Sequence, residues 1–270
     1  MIKKMKVACL QVNAGDDWRK NFIAVYGLLK KAARQRVHLA ALPEAFIYRG
    51  AHQQDSMIAR EITPKMIQDF GQIARELRLS ILLGSVLECS KDKRRFYNTS
   101  VLLSETGKIL ACYRKIHLFR IRLGSMITDE SKYIVPGNRV VTVNLQGVKM
   151  GLSICYDLRF PELYREFQLR GCKVVFVPAN FTYETGKDHW EILLRARAIE
   201  NQVFVIAPAQ VGRNPSTKLR SYGNSLIVDP WGRILARGDD RQEGIIVDEL
   251  DFSSQMRVRQ SLPVNEDRVL

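Results

Sequence analysis

Apolar residues in this chain come in short runs separated by stretches of helical spacing. V-A-C-L-Q-V, L-A-A-L and I-L-L-G-S-V have the length and composition of buried strands, whereas the segments between them repeat apolar positions every three to four residues. The first half predicts a strand over 7–12, a helix over 18–34, a strand over 39–42, a helix over 64–78, and strands over 81–86, 100–103 and 109–112. After a polar loop the order returns: strand 151–155, helix 161–170, strand 174–177, helix 188–201, then strands 203–207, 225–228 and 234–236. Strands alternating with amphipathic helices define an α/β architecture.

The recurrence extends to individual residues. S-V-L-L-S-E-T-G-K-I-L (100–110) aligns without gaps on S-L-I-V-D-P-W-G-R-I-L (225–235), and each reads as a β-hairpin turning at glycine, Gly107 and Gly232. L-P-E-A-F (42–46) likewise parallels V-P-A-N-F (177–181), with Glu44 against Ala179. A carboxylate is therefore expected at one copy of that strand end and not at the other. No linker composition separates the halves, which predicts a single domain over 1–270 with two packed sheets and an internal pseudo-two-fold repeat.

With 46% hydrophobic and 26% charged residues among 270, the composition is that of a globular protein with a sizeable core. The first residues carry only a brief apolar run before Gln11, and no apolar segment approaches the roughly 18 residues of a membrane span. The expectation is a cytoplasmic protein without a membrane partner. The five cysteines are far apart, no C-x-x-C or H-E-x-x-H is present, and the four histidines are scattered. A disulfide framework and a metal centre are not expected. The formal charge of +14 invites a nucleic-acid reading, but the basic residues form only short clusters such as Lys3-Lys4, Lys93-Arg94-Arg95 and Arg114-Lys115. No nucleic-acid partner is expected, and the charge fits a basic surface that attracts anionic small molecules.

Candidate chemistry centres on Cys155, which ends V-K-M-G-L-S-I-C and precedes a helix opened by Pro161. A thiol between a strand end and a helix start lies near a crevice and near backbone N–H groups that favour negative charge. Cys9 and Cys112 fall inside apolar strand patterns and read as small buried hydrophobes, and Cys89 and Cys172 have nothing chemical beside them. Ser153 lacks the second glycine of a serine elbow. A thiol nucleophile needs a base, and amide chemistry needs a cation where the oxyanion develops. Glu44 and Lys115, each just beyond an apolar strand, are candidates. Spacing alone leaves both open as surface charges.

L-P-E-A-F, Y-R-K-I-H-L-F and G-L-S-I-C-Y-D-L-R-F-P-E-L-Y, in that order, resemble the signature blocks of the nitrilase (carbon–nitrogen hydrolase) superfamily. The resemblance implies a four-layer αββα sandwich that associates into homodimers or larger oligomers through its helices, with no cofactor. It implies Cys155 as nucleophile, Glu44 as general base and Lys115 as the cation facing the tetrahedral intermediate. It further implies Glu130 as a supporting carboxylate and the Tyr156 N–H as oxyanion donor. The loop F-R-I-R-L-G-S-M-I-T-D departs from the commoner acidic versions.

The segment 185–202 resembles the omega-amidase and deaminated-glutathione amidase branch, implying a small, carboxylate-bearing amide as substrate. Arg159 and Arg49 are the candidates to fork onto its carboxylate, and His189 and Trp190 are expected to reach the pocket. Arg195 and Arg197 are expected in structural ion pairs, and Asp157 and Arg159 are expected to brace the nucleophile turn by pairing. The competing readings are a nitrile- or carbamoyl-directed member of the same superfamily, for which the same residues serve, and a basic binding module on the same fold. Should Glu44 fail as base, His117 and His189 are next.

Overall fold

The computed structural model describes residues 2–92, 94–124, 126–216 and 218–269, so Lys93 of one basic cluster and Ser125 of the departing loop lie outside the described residues. The first half contains β1 (Lys4–Gln11), α1 (Trp18–Arg34), β2 (Leu39–Ala41), α2 (Thr63–Leu77), β3 (Ser80–Cys89), β4 (Phe96–Leu103) and β5 (Ile109–Arg114). The second contains β6 (Thr142–Leu145), β7 (Val148–Leu152), α3 (Pro161–Leu169), β8 (Val174–Phe176), α4 (Tyr183–Asn201), β9 (Phe204–Ala207), β10 (Leu226–Val228) and β11 (Ile234–Arg237). β12 (Gly244–Asp251) and α5 (Phe252–Ser261) follow. Local chemistry sets several boundaries. Asp17 caps α1 by accepting from the N–H groups of Arg19 and Lys20, and Pro64 sits in the first turn of α2.

Two six-stranded sheets result, in the orders β12-β1-β2-β3-β4-β5 and β6-β7-β8-β9-β10-β11. In the first, β1, β2 and β3 are parallel while β12, β4 and β5 run antiparallel to their neighbours. In the second, β7, β8 and β9 are parallel while β6, β10 and β11 run antiparallel to theirs. The two orders match position for position, so the repeat legible in the sequence is a repeat of topology. Gly107 and Gly232 both have positive φ in the corresponding hairpin turns.

The layers follow from strand alternation. Ala8 and Leu10 of β1, Ala40 of β2 and Ile81 of β3 pack against Val25 and Leu29 of α1 and Phe70 and Ala74 of α2. The intervening Met5, Val7, Cys9, Leu39, Ala41 and Leu82 face the second sheet and share its core. That sheet is covered in turn by Phe167 of α3 and Trp190, Leu194 and Ala198 of α4. The outcome is the expected αββα sandwich.

Some expectations shift. β4 starts at Phe96 rather than residue 100, because its first residues pair with Cys89 and Glu88 across a bulged register. β12 lies beyond the elements the pattern predicts. α4 starts at Tyr183 rather than residue 188. Gly186, inside its first turns, answers to packing, since a Cβ at that position would lie 2.5 Å from Tyr222 Cβ. Cys112 is exposed instead of buried, because β5 is an edge strand.

Candidate active site

β5 runs parallel to β2 and β3, being two antiparallel steps from β3, so the C-terminal ends of β2 and β5 lie on one side of the first sheet. A crevice outside the C-terminal ends of parallel strands is where α/β folds collect functional groups. Glu44 follows β2, Lys115 follows β5, and Cys155 lies just beyond β7 of the facing sheet. All three line one cavity of about 440 Å³. Close packing brings the Glu44 corner in. Gly84 of β3 touches it so tightly that a Cβ would lie 1.9 Å from the Leu42 carbonyl oxygen. The next residue, Ala45, has φ of 54°, and Cys155 has φ of 47°. Backbone strain at both positions is the kind that surrounding structure must hold. Ser85 Oγ accepts from Ala45 N (3.0 Å) and Gln210 Nε2 donates to the Glu44 carbonyl (3.0 Å), while Cys155 N donates to Pro178 O (2.9 Å).

Lys115 is 2% exposed yet charged, because two carboxylates meet it. Its Nζ donates to Glu44 Oε1 at 2.8 Å and to Glu130 Oε2 at 2.9 Å. Burial works against the ammonium, but Glu130 and Glu44 hold its pKa well above the ordinary lysine value. Burial likewise raises Glu44, and Lys115, the Cys155 thiol and the Asn180 N–H (2.9 Å) outweigh it, leaving the carboxyl below its usual range. Burial and then the Glu44 charge push Cys155 well above the ordinary thiol value, with Lys115 opposing. The resting cluster is therefore a neutral thiol facing a carboxylate, with an ammonium held between two carboxylates. A proton passing from Cys155 to Glu44 leaves the cluster's total charge unchanged, which lowers the cost of forming a thiolate in a buried site.

The spacing between cysteine and lysine is tied by Asp157, which is fully buried. Its Oδ2 accepts from Ile154 N (2.8 Å) and Tyr113 OH (2.7 Å); its Oδ1 accepts from His117 N (3.0 Å) and lies 2.8 Å from His117 Nδ1. Tyr113 and His117 flank Lys115 at two residues on either side. One carboxylate thus joins the turn carrying Cys155 to the strand end carrying Lys115. This corrects the expectation of an Asp157–Arg159 pair: Asp157 is met by Tyr113 and His117 of the first half and by Ile154 N of its own turn, and Arg159 turns the other way.

The family model described as carbon-nitrogen hydrolase matches residues 6–260. Deaminated glutathione amidase of Mus musculus is 38% identical over 97% of this chain and 82% of its own length. The chain belongs to the carbon–nitrogen hydrolase family. Among solved structures, the NitFhit protein of C. elegans superposes with a TM-score of 0.94 at 33% identity, covering 99% of this chain, which spans 65% of that longer one. A variant of the amidase from Nesterenkonia sp. AN1, with acrylamide added at its active site cysteine, gives a TM-score of 0.81 at 26% identity, covering 97% of this chain and 99% of that one.

In this carbon–nitrogen hydrolase the three peripheral candidates part company. Arg49 is buried and committed to the protein: Nε donates to Ala14 O (2.7 Å), Nη1 to Ser221 Oγ (2.6 Å) and Asn180 Oδ1 (3.2 Å), and Nη2 to Asn13 Oδ1 (2.7 Å). It has no fork to offer a ligand. Arg159 lines the cavity, with its guanidinium 5.1 Å from the Phe181 ring centroid and Nη1 3.3 Å from His189 Nδ1. His189 is exposed and does not line the cavity; it steadies Arg159 from outside. Trp190 is buried, donating to Asn224 O (2.8 Å). Arg195 pairs with Glu191 and Arg197 with Glu200, as structural residues should. Tyr156 is the second residue of the single turn Cys155–Arg159, where the first N–H groups lack intrahelical partners. Sequence reasoning missed Asn98, whose Nδ2 donates to both Glu44 Oε1 (2.9 Å) and Glu130 Oε1 (3.2 Å). It also missed Asn180, visible only as the N of V-P-A-N-F. Among the described residues, no group of His, Cys, Asp and Glu is arranged to hold a metal ion, and no helix is long and apolar enough to cross a membrane.

Proposed function

We propose that the enzyme hydrolyses a small, carboxylate-bearing amide of the omega-amidase or deaminated-glutathione type, with Cys155 as nucleophile, Glu44 as general base and acid, and Lys115 as electrostatic stabiliser. The observation that carries it is the convergence of Cys155, Glu44 and Lys115 in one cavity, in the protonation states that the chemistry needs at its start. Glu44 takes the thiol proton as Cys155 Sγ attacks the carbonyl carbon. The developing oxyanion is met by Lys115 Nζ and the Tyr156 N–H. The intermediate collapses by breaking the C–N bond, and Glu44 returns its proton to the departing amine. Water then attacks the thioester, giving a proton to Glu44; collapse releases the carboxylic acid, and the thiol is restored. Glu130 and Asn98 hold Lys115 and Glu44 in register through both halves.

Substrate class rests on Arg159. Its guanidinium lies on the cavity wall against Phe181, with His189 as its hydrogen-bonding neighbour, so its remaining donors suit a carboxylate. The relative's name, deaminated glutathione amidase, supports an acidic amide. Five free cysteines suit the reducing cytoplasm. Exposed Ile192 (68%) and Trp231 (50%) on the α4 side suit association with a second copy through the covering helices.

The test is an ammonia-release screen of amides, ureido acids and nitriles with a Cys155→Ala control, coupled to mass spectrometry of the intermediate. An amide should release ammonia or amine and a carboxylate without carbon dioxide, and the acyl adduct should lie on Cys155. An adduct on Cys9, Cys89, Cys112 or Cys172, or turnover by Cys155→Ala, would overturn the assignment. Within the amide series, an acid should exceed its methyl ester in kcat/KM by about tenfold, roughly 1.4 kcal/mol.

A further inference from the structure

Asn180 lines the cavity and is adjacent in sequence to Phe181, which carries Arg159 on its face. Its main-chain N–H is already used, donating to Glu44 Oε2 (2.9 Å). Its side-chain amide is held from the opposite side. Oδ1 accepts from Arg49 Nη1 (3.2 Å) and from Ser221 Oγ (2.7 Å). A guanidinium can only donate, so the atom facing Arg49 must be the oxygen, and the amide cannot flip. Arg49 is itself fixed by Ala14 O, Asn13 Oδ1 and Ser221 Oγ. Burial lowers its pKa to about 10, which still leaves it charged at neutral pH. With Oδ1 turned to that anchor, the amide nitrogen faces away from it, and among the described residues no acceptor is paired with Nδ2.

We infer that Asn180 is a substrate-binding residue whose Nδ2 donates to an oxygen acceptor on the acyl portion of the substrate, and that Arg49 and Ser221 are the positioning residues that orient it. This rests on the proposed amidase function, and it adds to that function a requirement for a second acceptor oxygen near the carboxylate that Arg159 takes. An amide nitrogen offers only donors, so the position discriminates against a methylene or an amine in the same place. The same residue serves two tasks: its backbone holds the base, and its side chain reads the substrate. The anchoring also explains why a buried arginine lines the pocket with its guanidinium donors already taken by the protein.

The experiment compares two carboxylate-bearing amides of equal length, one with a carbonyl oxygen on its acyl chain and the other with a methylene there. Asn180→Ala retains the backbone N–H. It should lower kcat/KM for the oxygen-bearing amide roughly tenfold to a hundredfold, mainly through KM, and leave the methylene analogue within about twofold. Asn180→Asp turns the donor into an acceptor and should lose more. Ser221→Ala and Arg49→Lys should show the same substrate selectivity in weaker form, and neither should add to Asn180→Ala in the double variant. If Arg49→Lys does not fold, Ser221→Ala carries the comparison. Equal loss on both amides, no loss on either, or additive double variants would overturn the proposal. Calorimetric binding of both amides to Cys155→Ala separates the two readings. If that protein still turns over, the nucleophile assignment fails, whereas if it binds both amides with equal affinity, the Asn180 assignment fails.

Discussion

Replacing Lys115 by methionine removes the cation that lies between buried Glu44 and half-buried Glu130. Nζ lies 2.8 Å from Glu44 Oε1 and 2.9 Å from Glu130 Oε2, with side chains 2%, 8% and 17% exposed. At an effective dielectric of about 20, each contact is worth roughly 6 kcal/mol of gross Coulomb attraction. Desolvation and the mutual repulsion of the carboxylates cancel much of it. The net loss on breaking such a buried pair is about 3–5 kcal/mol, on the order of 10 °C in Tm for a chain of this size. The pH dependence discriminates this account from mere loss of packing. In the unaltered protein Glu44 is held below 4.5, so its contribution is present above 4.5 and is lost as pH falls through its folded value. In Lys115→Met the two carboxylates share Asn98 without a counter-charge, which raises the folded pKa of one of them. A raised carboxyl favours folding as pH falls toward its unfolded value, so the variant should recover stability between about pH 8 and pH 5. Thermal unfolding at both pH values measures it, and Lys115→Met/Glu130→Gln should be more stable than Lys115→Met alone at pH 8. A Tm gap that stays constant or widens on acidification would refute the reasoning. Turnover should fall by roughly 10²–10³ as the oxyanion loses its cation.

Glu44→Gln should lower kcat by about 10²–10⁴, the typical worth of a general base. Glu130→Gln should be milder because it keeps hydrogen-bonding atoms beside Lys115, and steady-state kinetics that reverse this order would exchange the two roles. With Glu44 held low, and Lys115 and Cys155 held high, kcat/KM should vary little from about pH 5.5 to 8.5. A limb inside that range that vanishes in His117→Ala would instead make His117 the base. Tyr113→Phe deprives buried Asp157 of its 2.7 Å phenol donor and should cost about 1–3 kcal/mol in denaturant unfolding. An unchanged midpoint would show that Asp157 does not depend on that bond.

What the sequence determined by itself was whatever depends on local periodicity and strand ends. Apolar runs of strand length and helical spacing around them yielded the layered α/β order, and the aligned hairpins at Gly107 and Gly232 yielded the repeat, because turn chemistry and side-chain alternation are properties of neighbouring residues. Cys155, Glu44 and Lys115 were legible because each sits just past an apolar strand, where parallel topology collects side chains at one edge. Partnership was not legible. Whether Asp157 meets Arg159 or His117, whether Arg49 faces a ligand or Asn180, and whether His189 reaches the cavity depend on which way side chains turn after distant segments have packed. Asn98 and Asn180 carry no local signal, since an asparagine in a strand or loop is ordinary until the charges around it are assembled. The same holds for Gly84 and Gly186, points of close approach to the Leu42 carbonyl and the Tyr222 side chain. Tertiary structure decided these because a hydrogen bond between residues a hundred positions apart leaves no periodicity in the chain.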